Sequence, residues 1–340
     1  MNGSRRPSLR DIAAATGVGR TTVSLALRND PRLPAATCQR IQATAHQLGY
    51  VANPLVSSIM ATHRHAGGRS IVGTLGFLTA HPTRSGWRNA TSQRNYEGAC
   101  ARAKQLGYQM EVFWLKEAGM TGRRMTTVLR TRGVEGLIIA PLERAVGHLS
   151  LDWSRFAAAA LGYTMRRPEL HRAVHHHFDG MTMTLRRLKR LGYRRVGLVL
   201  ATQFDERVQH LWRAGFLVAH DQLRPAERVP VLLMRRPNRQ EFARWYDRHR
   251  PAVIIGADAV VVEWLRMLGK RVPDDVGFAH LDWAKNLPGL AGVDQKSEAV
   301  GAAVVDLVVN QLQRGERVLP ATPIVQMVAG RWVDGNSLQA

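Results

Sequence analysis

Arg20, Thr21, Thr22, Ser24 and Arg28 fall within one stretch of nine residues, with small hydroxyls set between guanidinium groups. Side chains of these types can hydrogen-bond base edges in a groove and the phosphates beside it. They must first share one rigid surface, and a helix from Arg20 to Arg28 supplies it. Val23, Ala26 and Leu27 recur at i, i+3, i+4 and turn inward, which leaves the polar five outside. Ser8, with Asp11 three residues on, opens an earlier helix of about Leu9–Ala15 in capping-box fashion. Thr16-Gly17-Val18-Gly19 turns the chain, Gly17 suiting left-handed backbone and Val18 plugging the angle between the helices. Asn29-Asp30-Pro31 ends the second helix. A third, about Ala35–Leu48, turns Ile41, Ala45 and Leu48 inward and stops at Gly49. The pattern suits a helix-turn-helix whose second helix enters the DNA major groove, and a plain three-helix bundle shares it.

Asn53-Pro54 is an N-cap followed by a first-turn proline. The helix that it starts, Pro54–Ala61, spans only about two turns and is marginal alone in water. Thr62–Ser70 then reads as a linker. A short apolar helix carrying Leu55, Val56, Ile59 and Met60 between a DNA-reading head and a linker predicts a segment that orders on DNA and wedges into the minor groove.

The chain of 340 residues carries a formal charge of +22. Up to Gly68 eight arginines face two aspartates, so most of the excess lies in the larger part. A polyanion partner and an arginine-favouring codon usage both account for it. Cys38 and Cys100 form no disulfide framework or metal spacing, which suits a reducing cytoplasm. No apolar run follows the arginines of MNGSRRPSLRDI, and the longest apolar stretch, about Val253–Leu265, is broken by Asp258 and Glu263. A cytoplasmic protein without a membrane segment is expected.

From Ser8 to Ile59 the sequence resembles the lactose-repressor (LacI/GalR) family of bacterial transcription regulators. The likeness rests on the leucine–x–aspartate–isoleucine–alanine start, G-V-x-x-x-T-V-S through the turn and second helix, Thr37, and G-Y-x-x-N-P into the hinge. It implies that Arg20 and Thr21 are the main base-reading residues. Ser8, Thr22, Ser24, Arg28, Thr37 and Asn53 would make backbone or flanking contacts. Ile59 would lever open a central base step, with Leu55 or Met60 sharing that role. Gly19, Leu25 and Ile59 depart from the usual serine, arginine and leucine. The resemblance also implies a homodimer on a pseudo-palindromic, double-stranded operator. The tail after Val333, DGNSLQA, has no heptads for a tetramer.

Beyond Ser70, apolar strand runs alternate with amphipathic helices. The strands include Ser70–Leu78, Gly136–Ala140, Ala158–Tyr163, Arg195–Leu200, Pro230–Leu233 and Ala252–Gly256. The helices include Ser92–Leu106, Met181–Leu191, Glu206–Ala219 and Arg239–Arg248. The alternation predicts an α/β part with parallel sheets and helices on both faces, long enough for two lobes with a ligand cleft at the strands' carboxyl ends. This agrees with the family's periplasmic-binding-protein-like sensor. The expected divisions are an all-α head at 1–51, a hinge and linker at 52–69, and a sensor at 70–340. Its lobes would be 70–164 with 295–318, and 165–294 with 319–335.

By the same resemblance Asp282, ending FAHLD, is the carboxylate that accepts a ligand hydroxyl, and Asp258 follows the strand PAVIIGA. Ala257 replaces the usual asparagine, and Trp212 replaces an arginine that would grip a sugar or an anion. An indole there could stack on a sugar or aromatic ring, or simply fill the cleft. Trp87, Tyr96 and Trp283 are further candidate walls. The effector is expected to be a carbohydrate or related metabolite, and no cofactor is implied. His175-His176-His177 lacks metal-site partners; strand alternation lets at most two share a site, so a pocket rim or solvated strand end is expected. An enzyme would need a phosphate loop, a nucleophile elbow, a dinucleotide fingerprint or a metal constellation; none appears, and GMTGRR lacks the phosphate-loop lysine. A regulator that has lost its effector remains the alternative.

Overall fold

The computed structural model describes residues 7–27, 32–48, 50 and 73–339. Arg28, Asn53, Leu55, Ile59 and the whole predicted hinge lie outside them.

The head is three helices: α1 (Leu9–Thr16), α2 (Arg20–Ala26) and α3 (Ala35–Gln47). Both bonds of the capping box form at the start of α1, the Ser8 backbone N–H reaching Asp11 Oδ2 at 2.7 Å. Gly17 adopts φ +69° and returns its N–H to the Ala13 carbonyl, so the turn needs the left-handed conformation that glycine supplies. Ile12, Val23, Ala26, Cys38, Ile41 and Ala45 form the core, with Val18 and Leu27 packed against it. Leu48 corrects the predicted stripe. It is 40% exposed because α3 ends at Gln47, and Cys38 fills the third inner position instead. Arg40 and Gln42 tie α3 to the carbonyls of Thr16 and Ala26, at 3.1 and 2.8 Å.

The larger part is two sheets of six strands. The first contains β1 (Gly73–Thr79), β2 (Tyr108–Trp114), β3 (Val134–Ile139), β5 (Ala157–Leu161), β7 (His171–His175) and β13 (Val325–Val328), in the order β13-β7-β5-β3-β1-β2. Every neighbouring pair in it is parallel. A small ribbon, β4 (Gly147–His148) with β6 (Met165–Arg167), sits apart. The second sheet contains β8 (Val196–Ala201), β9 (Leu232–Met234), β10 (Val253–Gly256), β11 (Gly277–His280), β12 (Ala291–Asp294) and β14 (Arg331–Val333), in the order β14-β12-β11-β10-β8-β9, with only β14 antiparallel. Strand alternation divides each core between two faces. On β3, Ile138 packs into one cluster while Leu137 and Ile139 enter the other; on β10, Val253 and Ile255 oppose Ile254.

The lobe boundaries differ from those expected. β7 belongs to the first sheet, so the chain crosses after residue 175 rather than 164, and 319–335 is shared, β13 joining the first sheet and β14 the second. The run HRAVH hid a fully buried strand behind polar residue types. Its Arg172 donates to the carbonyls of Gly162 and Met165, and His171 Nδ1 accepts the Ile324 N–H. The single helix predicted at Glu206–Ala219 is two, Thr202–Arg207 and Leu211–Asp221, broken where Gln209 and His210 take positive φ. In the first lobe the helices Ala90–Gln105 and Ser297–Arg314 meet backbone to backbone. A Cβ on Gly301 would stand 1.9 Å from the Asn95 carbonyl oxygen, and one on Gly98 2.0 Å from that of Glu298.

Candidate nucleic-acid interface and ligand cleft

Burial of Val23 and Ala26 fixes the rotation of α2, and Arg20 and Thr21 come out exposed at its start. Thr22, Ser24 and Thr37 are half-buried. Ser8 is engaged in the cap, its hydroxyl 2.6 Å from Asp11 Oδ2. Among the described residues of the predicted set, the exposed ones are one guanidinium and one hydroxyl side by side at the start of a short helix.

The cleft is built from loops at the carboxyl ends of both sheets, where parallel strands point backbone groups outward. Asp282 follows β11 and accepts a hydrogen bond from Thr91 Oγ1 at 2.6 Å, Thr91 lying in the first turn of Ala90–Gln105 in the other lobe. The Asp282 N–H donates to His280 Nδ1 at 3.0 Å. Burial lowers the pKa of His280 and keeps it neutral against the pull of Asp282 and Asp258. Asp258 serves the helix Val260–Met267, accepting the Val260 N–H at 3.0 Å, and borders a small, partly open space of about 10 Å³. The two aspartates are thus brought around one histidine, each already holding a protein group.

Trp212 is 5% exposed and meets the His177 ring edge-on at 4.9 Å. Of its two readings, stacking surface or filler, this position matches the filler. Trp87 is corrected. At 1% exposure it packs against Phe77 and Tyr96, with both ring centroids at 5.2 Å, and belongs to the first lobe's core rather than the cleft wall. Its apolar bulk on a segment beneath the sheet makes burial the stable outcome. The histidine run is corrected as well. His175 and His177 are buried, not solvated, with rings 5.5 Å apart at the crossing between lobes. His175 Nδ1 donates to the Gln295 carbonyl at 2.8 Å, and His177 Nδ1 is buried without a partner. Burial pushes both below the usual histidine range, His177 well below it. Among the described residues no cluster of three or more His, Cys, Asp or Glu could hold a metal ion.

Arg94 was not anticipated. It donates to Asp294 at 2.8 Å, to both oxygens of Glu298 at 2.8 Å and to the Trp283 carbonyl at 3.5 Å. Desolvation alone would raise the Asp294 pKa, but Lys296 and Arg94 outweigh it and bring the carboxyl down to about 2. On the opposite side Arg207 donates to the carbonyls of Leu142 and Glu143, both at 2.7 Å. An open groove of about 510 Å³ lies between residues 143–146 and the helix Thr202–Arg207, and none of the expected effector residues lines it.

A model of the bacterial regulatory proteins of the lacI family matches residues 8–53, which include the three helices of the head. A periplasmic binding protein-like domain matches residues 185–338. Residues 8–53 thus carry the DNA-binding head of the LacI family, and residues 185–338 a periplasmic binding protein-like domain. The transcriptional regulator PtxS of Pseudomonas plecoglossicida is 24% identical to it over 327 residues, 93% of this chain and 92% of its own. The lac repressor dimer bound to operator and the anti-inducer ONPF superposes with a TM-score of 0.57 at 19% identity, covering 99% of this chain and 100% of that one. The complex of the regulator CelR with cellobiose gives 0.57 at 18% identity, covering 98% and 100%. These structural likenesses establish the fold: a helix-turn-helix region joined to a two-lobed α/β sensor. LacI-family proteins are DNA-binding transcriptional regulators rather than enzymes. Among the described residues no helix is long and apolar enough to cross a membrane.

Proposed function

We propose that this LacI-family protein is a homodimeric repressor that binds a pseudo-palindromic operator and responds to a small-molecule effector. The observation that carries the DNA half is the presentation of Arg20 and Thr21, exposed on a helix whose rotation the buried Val23 and Ala26 fix. One head reads one half-site, so two copies match a two-fold symmetric operator. The lobes would control affinity through the spacing of the two linkers that join them to the heads. Arg20→Ala is expected to cost about 1–3 kcal/mol on operator and to flatten base preference at one position of each half-site. Fluorescence anisotropy on a library of operator variants measures both, and an unchanged preference refutes the assignment.

A carbohydrate effector held by Asp282 and Asp258 is supported by the cellobiose complex of CelR, a protein of the same fold. A second reading, a regulator whose sensor works without an effector, is favoured by the buried Trp212 and by the Thr91 hydroxyl on Asp282. Thermal-shift titration with mono- and disaccharides separates the two.

A further inference from the structure

The lobes are joined across the cleft by groups of the chain itself. Thr91 Oγ1 donates to Asp282 Oδ2 at 2.6 Å, a distance typical of strong hydroxyl-to-carboxylate bonds. One turn along the same helix, Arg94 reaches Trp283 and Asp294 of the second lobe. Arg207 reaches back from the second lobe to two carbonyls of the first. Trp212 packs edge-on against His177, and the partly open space beside Asp258, about 10 Å³, has room for about one water molecule.

We propose that Thr91 is an internal ligand: its hydroxyl takes the place at Asp282 that an effector hydroxyl would take and, with Arg94 and Arg207, latches the lobes together in the effector-free protein. This rests on Asp282 being the polar anchor of the cleft, as proposed above, and not on whether a metabolite binds there. The operator affinity of the effector-free protein is then that of the latched form, and any sugar must displace Thr91 before it can act.

The test uses the full-length dimer without added ligand. X-ray scattering should fit the latched arrangement for the wild type. Thr91→Val keeps the shape of the side chain and removes the donor. It should speed amide exchange at the crossings, residues 174–177 and 292–296, by about tenfold or more, and Thr91→Ser should restore protection. Scattering that fits parted lobes in the wild type overturns the proposal even if Thr91→Val fails to fold. Unchanged exchange in a folded Thr91→Val overturns it too, as does a Thr91→Ser variant no better than valine. Thermal shift with cellobiose, run in parallel, reports on the effector reading alone, so the two failures are distinguishable.

Discussion

Arg94→Gln should destabilise the sensor by about 1–2 kcal/mol at neutral pH, with a loss that fades in acid. Asp294 is only 7% exposed, and its carboxyl titrates at about 2 instead of 3.8. A shift of that size corresponds to about 2 kcal/mol. Lys296, 2.8 Å from Asp294, should retain part of the effect in the variant. The Glu298 arm adds little, because that carboxylate is half exposed and solvent screens it. Losing the long hydrogen bond to the Trp283 carbonyl adds about 0.5 kcal/mol, which keeps the sum at about 1–2 kcal/mol. The sign follows from the direction of the shift. A depressed carboxyl contributes its full stability above its unfolded pKa and loses it as pH falls through the folded one, here between about 4 and 2. Urea unfolding of wild type and variant at pH 7, 5, 4 and 3 should therefore give a difference that holds to pH 5 and narrows below 4. A difference under about 0.5 kcal/mol at pH 7, or one that does not narrow in acid, refutes the reasoning.

Two further outcomes follow from the same structure. His177 is held neutral by burial, so as pH drops below about 6.5 the unfolded chain takes up a proton that the folded one refuses, and stability falls. His177→Leu should flatten the decline between pH 7 and 5 by up to about 1.4 kcal/mol per pH unit, read from urea midpoints; parallel slopes would contradict it. Gly301→Ala puts a Cβ 1.9 Å from the Asn95 carbonyl oxygen and must part the two helices. It should cost about 3 kcal/mol, and a loss under about 1 kcal/mol in denaturant unfolding would show that the contact yields easily.

Much of the architecture was legible in short windows of sequence because its causes are local. Ser8 and Asp11 are three residues apart and cap α1; Gly17 takes the left-handed turn that its lack of a Cβ permits; Val23 and Ala26 set the face of α2. Runs such as GLIIA and AVIIG are apolar on both sides because helices cover both faces of their sheets, and they appear as β3 and β10. Those same local rules failed where polar residues lie inside. HRAVH is a buried strand because Arg172 bonds two carbonyls of the preceding turn, Gly162 and Met165, and His171 accepts the Ile324 N–H from 153 residues away, pairings that an alternation rule cannot foresee. Leu48 failed in the other direction, its apolar type outlasting the helix that would have buried it.

By itself, then, the amino-acid sequence determined the kind of protein: a helix-turn-helix head with Arg20 and Thr21 on the exposed face of its second helix, and a parallel α/β part with Asp258 and Asp282 at strand ends. Each of these is dictated by backbone periodicity and by residues close in the chain. The tertiary structure alone decided what those aspartates touch. Thr91 meets Asp282 across 191 residues of chain, Arg94 meets Asp294 across 200, and Trp212 and Trp87 turn from candidate walls into packing. Partners so distant are set by how two sheets are juxtaposed, a sum over the whole core that no single segment encodes.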